Sequence, residues 1–118
     1  MSDHLWDYQP TADYVPGTSL TGYKVEATDG HIGKVDKHSD EVGSAYLIVD
    51  TGVWIFGKHV LLPAGTITRV DPVEEKIHVG RTKAEIKDAP EFQLDKHAGD
   101  PDYHRQIGGY YGGFPLLP

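Results

Sequence analysis

The 118-residue sequence contains no cysteine. A disulfide framework, a thiolate metal site and a cysteine nucleophile are thereby excluded, with no limit placed on compartment. Long apolar runs are also missing. The most apolar stretch, YLIVDTGVWIFGKHVLLPAG at 46–65, is interrupted by Thr51-Gly52 and Gly57, so no uninterrupted run approaches the ~20 residues of a spanning helix. MSDHLWDYQP shows no basic segment followed by an apolar one, so no secretory signal is read there, and a cytoplasmic protein without membrane insertion is expected. Cations are scarce: 11 Lys+Arg stand against 18 Asp+Glu, a net charge of −7. That balance opposes sequence-independent binding to phosphate backbones, and nucleic acid is not an expected partner. Protonating all seven histidines would bring the net charge to zero, which would lower solubility in mild acid. The length suits one domain with its own core.

What is present is mostly β pattern. In GYKVEATDGHIGKVDKH, Tyr23, Val25 and Ala27 alternate with Lys24, Glu26 and Thr28, as a half-buried strand requires. Asp29-Gly30 suits a type I′ hairpin, which pairs Ala27 with Ile32. A strict register would then set Val25 against Lys34, so a bulge at Gly33 is predicted, restoring Val25 opposite Val35 and bending the sheet. AYLIVD, residues 45–50, is apolar on both faces and should be covered on both. KHVLL, TITRV and KIHV complete about six short strands, the pattern of a small barrel or sandwich.

RTKAEIKDAPEF changes period. Thr82 with Glu85 fits a capping box and Pro90 a stop, predicting a short helix from Lys83 to Lys87. The termini are rich in Pro and Gly, yet hold Trp6, Tyr8, Tyr14, Tyr103, Tyr110, Tyr111 and Phe114. Disordered tails are poor in aromatics, so docking is expected, with a helix beginning near Asp102 and stopped by Gly108-Gly109. The organisation read is an N-terminal extension 1–19, a β-domain 20–92 and a C-terminal extension 93–118.

LTGYKVEATDGHIGKVDKHSDEVGSAYLIVDTG, KHVLLPAGTITRVD, KIHVGRTKAEI and KDAPEF together resemble the PRC-barrel family, the β-barrel module of the photosynthetic reaction centre H subunit and of a ribosome maturation factor. The resemblance covers 20–92. Its specific parts are Gly22, Val25, Asp29, Gly30, Gly33 and Val35, and the Leu62-Pro63-Ala64-Gly65 corner. It implies a mainly β fold, a small barrel of about six strands used to hold other components together, with no catalytic residues to carry over.

No enzyme is expected from the residues themselves. Ser2, Ser19, Ser39 and Ser44 lack a nucleophile-elbow pattern, and no pair of carboxylates stands out as acid and base. His31, His59 and His78 show no H-E-x-x-H spacing, and His31 and His78 should point outward. The stretch DKHAGDPDYH offers Asp95, His97, Asp100, Asp102 and His104, donors suited to a divalent ion, although a flexible polar tail explains them more simply because ordering it costs about 1–2 kcal/mol per residue. No phosphate loop and no cofactor are read. Two functions follow. One is an interaction or scaffolding module binding a protein partner or a second copy, a homodimer, through Trp54, Ile55, Phe56, Tyr110 and Tyr111, since large aromatics dominate interface energetics. The other is a small-ligand or metal-binding protein, in stress or envelope physiology, using a pocket between barrel mouth and tails.

Overall fold

The computed structural model describes residues 5–8, 12, 14–15, 17–39, 45–52, 59–90, 92 and 100–113. Among these residues six strands form one sheet: β1 (Lys24–Ala27), β2 (Gly30–Ser39), β3 (Tyr46–Asp50), β4 (His59–Pro63), β5 (Ile67–Asp71) and β6 (Lys76–Val79). Their order is β4-β3-β2-β1-β6-β5. Neighbours are antiparallel except β1 and β6, which run parallel.

The two edge strands are consecutive in sequence, joined by a 3-10 turn at Ala64–Thr66, so the sheet's edges meet at that corner. Thr66 Oγ1 donates to the Pro63 carbonyl at 2.7 Å and closes the turn. The corner's amides are taken elsewhere: Ala64 N–H donates to Ala45 O and Gly65 N–H to Leu5 O. The fold is therefore mainly β as read from the sequence, but the described ladders include no β4–β5 pairing. The expected barrel is a curled sheet joined at one corner.

The ladders are irregular between Ile67 and Arg69 of β5 and twice along β2. Opposite β1, Glu26 faces His31 and Val25 faces Gly33, leaving Ile32 as the extra residue; opposite β3, Asp36 is skipped between Val35 and Lys37. Each bulge bends the strand and adds twist. The first bulge falls beside Gly33 as predicted, but the register is offset, with Val25 opposite Gly33 rather than Val35. The cause is the turn. Ala27 pairs with Gly30, so the loop is Thr28-Asp29, and neither residue has positive φ, which rules out type I′. Thr28 N–H donates to Arg81 O at 3.0 Å, and the Asp29 carboxylate accepts from Lys83 N–H at 2.8 Å. Tertiary bonds to the helix that follows β6 thus outweigh the local turn preference. Facing is unaffected, and Val25, Ala27, Ile32 and Val35 are all buried.

That helix, α1 (Lys83–Lys87), carries both halves of the capping box between Thr82 and Glu85. The second, α2 (Pro101–Tyr111), starts from Asp100, whose carboxylate accepts from Asp102 N–H. It runs through Gly108-Gly109, where the sequence suggested a stop. Tyr103, Ile107 and Tyr111 recur every four residues and are buried, and this apolar stripe holds the helix against the intrinsic cost of glycine. A Cβ at Gly108 would lie 3.3 Å from Trp6 Nε1, so the glycine lets the N-terminal indole approach.

β3 is buried on both faces, Leu47 and Val49 on one and Ile48, 2 % exposed, on the other. On Tyr46's side the cover includes Trp6, edge-on at 6.5 Å, and His104 of α2 at 5.2 Å, with Trp6 and His104 stacked. Leu20 N–H donating to His38 Nε2 at 3.1 Å ties the segment before β1 onto the far end of β2.

The tightest approach is at Gly33, where a Cβ would sit 2.0 Å from the Asp50 carbonyl oxygen. Gly33→Ala is expected to cost about 3 kcal/mol because β2 and β3 must separate. Urea unfolding checks this, and a loss below about 1 kcal/mol would contradict the close approach.

Candidate functional site

The free side of edge strand β4 opens on an apolar cleft of about 140 Å³. β4 contributes His59, Val60 and Leu61, α1 and its exit contribute Ile86, Lys87, Ala89 and Pro90, and the far wall is Phe92 with Tyr103 and Ile107 of α2. Hydrogen bonds fix these walls. An isolated bridge pairs His59 with Phe92, Tyr103 donates its hydroxyl to Pro90 O at 2.8 Å, and Tyr110 donates to Glu85 O at 2.5 Å. The Phe92 and Tyr103 rings meet at 5.4 Å. Leu61, Ile86 and Ile107 are buried, whereas Val60 is half-buried and Lys87 exposed. His59 Nε2 lies 3.3 Å from Asp36 Oδ2, so its polar edge is engaged with the second β2 bulge. The arrangement is an apolar hole with Lys87 at its rim, suited to enclosing a hydrophobic group.

The residues singled out from the sequence fall unevenly. Trp54, Ile55 and Phe56 lie outside the described residues. Tyr111 is 1 % exposed and belongs to the protein's own core, so it offers no contact surface, while Tyr110 is half-buried and braces α2 on α1. Among the metal candidates His97 lies outside the described residues. Asp100 caps α2, Asp102 pairs with Arg105 at 2.6 Å, and His104 stacks on Trp6. No metal-holding group of three His, Asp or Glu occurs among the described residues, and no helix among them is long and apolar enough to cross a membrane. Of the cleft walls the sequence singled out His59, as a histidine without ligand spacing, and Tyr103, among the tail aromatics expected to dock; the other walls were not read as a site, and Pro90 and Phe92 just beyond a very short helix were the available signal.

The phenols of Tyr110 and Tyr111 are perturbed. Burial pushes Tyr110 above its ordinary value, with Asp88 and Glu85 adding repulsion. Burial pushes Tyr111 much further, with Tyr110, Tyr103 and Glu85 adding to it. The Tyr111 hydroxyl has no hydrogen-bond partner among the described residues.

Against this geometry, comparison with known proteins adds little. A scan of family models finds no match, and a search of curated proteins finds none. Among solved structures the chain is similar to a protein described as a 16S ribosomal RNA processing protein, RimM, from Pseudomonas aeruginosa. The two are 18 % identical with a TM-score of 0.46, over 61 % of this chain and 48 % of that one. The likeness thus spans about half of that protein's length.

Tyr111→Phe removes an unsatisfied buried hydroxyl and is expected to raise stability by about 1 kcal/mol at neutral pH. Because the folded-state value is raised, the stability that Tyr111's protonation contributes is complete below its unfolded value of about 10 and is lost as pH rises above it. The variant should therefore show a shallower alkaline loss of stability. Denaturant titrations at neutral pH and above pH ~10 check both effects.

Proposed function

We propose that this chain is a non-catalytic interaction module of PRC-barrel type that receives an apolar side chain of a protein partner, or of a second copy of itself, in the cleft beside β4. The observation that carries this reading is the cleft's chemistry and size together. At about 140 Å³ it falls below the ~300–1,000 Å³ of ordinary small-molecule sites but suits one or two inserted side chains. Interface hot spots are such buried anchors in desolvated pockets. A reaction or a polar ligand would need several directed polar groups converging on the hole. Here the described walls offer His59, engaged by Asp36, and Lys87 at the rim. The proposal extends to Trp54, Ile55 and Phe56, separated from β4 by two residues in sequence, because large apolar and aromatic side chains are frequent interface anchors.

Val60→Lys places a charge in the cleft wall and is expected to weaken partner capture, or self-association in sedimentation, by at least about tenfold. Val73→Lys, at an apex that is 88 % exposed in the β5–β6 turn, should leave both unchanged. A strictly monomeric protein whose captured partners survive both Val60→Lys and Trp54→Ala would overturn the reading.

A further inference from the structure

The outer face of the sheet carries a second feature, which the cleft does not use. The strand registers place Asp71, Lys76, Lys24, Lys34 and Asp50 in one row across five neighbouring strands, so three lysines stand side by side on β6, β1 and β2. Adjacent strands lie ~4.8 Å apart, and the three lysine backbones therefore span roughly 10 Å. Like charges placed directly opposite one another destabilise a sheet. In a chain of net charge −7 such a row would ordinarily be relieved by neighbouring carboxylates.

The carboxylates nearby are engaged elsewhere. Asp71 accepts from Val73 and Glu74 N–H at 3.0 and 3.1 Å and lies 3.7 Å from Arg69. Asp50 accepts from Gly52 N–H at 2.9 Å. Glu26, in the adjoining row, lies 2.5 Å from His31 Nδ1. Lys24, Lys34 and Lys76 make no ion pair or side-chain hydrogen bond with the described residues, and Lys24 and Lys34 are exposed. Beside Lys34 the surface dips into a hollow of about 300 Å³, reached by His31, Asp50 and Thr51.

We infer that this face binds a small, multiply charged oxyanion of the di- or triphosphate type, clamped by Lys76, Lys24 and Lys34. The row fits such an anion in length and in charge. Asp71 and Asp50 close it at both ends, and the exposed Glu74 and Glu75 lie on the adjoining turn. A long polyanion crossing the strands would have to pass over these carboxylates, so the acidic border favours a compact ligand over nucleic acid.

The test is calorimetric titration of the full chain with inorganic triphosphate at low ionic strength, repeated for Lys24→Gln, Lys34→Gln and, as a control, Lys37→Gln, an exposed β2 residue outside the row. Saturable binding of one anion per chain is expected, weakened about tenfold by each row substitution and unchanged by the control. Without the anion, Lys24→Gln should melt at the same temperature as the parent or higher, because it relieves repulsion; that separates loss of binding from loss of fold. Absence of heat at ~10 mM triphosphate would overturn the inference. So would equal weakening by Lys37→Gln, which means diffuse charge, or tighter binding of a single-stranded oligonucleotide than of triphosphate.

Discussion

A central strand that is apolar on both faces cannot be satisfied by one sheet alone, and β3 imposes this requirement here. Its Leu47 and Val49 face one way, Ile48 the other, and all three are buried. The Tyr46 and Ile48 side needs cover from outside the six strands, and among the described residues Trp6 and His104 of α2 take part in it. The aromatic-rich ends are therefore part of the packing. Neighbouring features answer the same need. Gly33 lets β2 come close to β3 at the Asp50 carbonyl, and Gly108 lets Trp6 come close to α2. Hydrogen bonds from the Ala45 amide to Trp6 O and from the Gly65 amide to Leu5 O bind the N-terminal segment to the corner that joins the sheet's edges.

The cleft follows from this packing. α2 reaches the sheet beside β4, while α1 is held at the β1–β2 turn through Lys83 N–H and Asp29. Two helices anchored at separate places leave an apolar hollow between them and the edge strand, bridged by Tyr110 donating to Glu85 O and by Tyr103 donating to Pro90 O. The bulges of β2 help to shape both the cleft and the lysine row. The first aligns Lys34 with Lys24, and the second turns Asp36 toward His59 at the cleft rim.

Alternating apolar residues made the strands legible, and Thr82 with Glu85 made α1 legible, because in each case local pattern and tertiary environment favour the same conformation. The hairpin register was not legible. Asp29-Gly30 prefers a local turn, but its carboxylate is used by Lys83, 54 residues away in sequence. The end of α2 was misread for a similar reason: Gly108-Gly109 breaks an isolated helix, whereas burial of Ile107 and Tyr111 carries it onward. The candidate surface was legible only as aromatic residues. Whether an aromatic is core, like Tyr111, or brace, like Tyr110, depends on contacts that sequence spacing does not encode. The cleft and the lysine row both arise from strand order, which pairs β6 with β1 across about 50 residues of chain.

Hydrogen exchange of the chain, alone and with its captured partner, tests the interaction reading most directly. Slowed exchange concentrated in β4, α1 with its exit to Pro90, and the Tyr103–Ile107 stretch of α2 is the expected result. Unchanged exchange around the cleft, with slowing confined to the outer face of β1, β2 and β6, would contradict it.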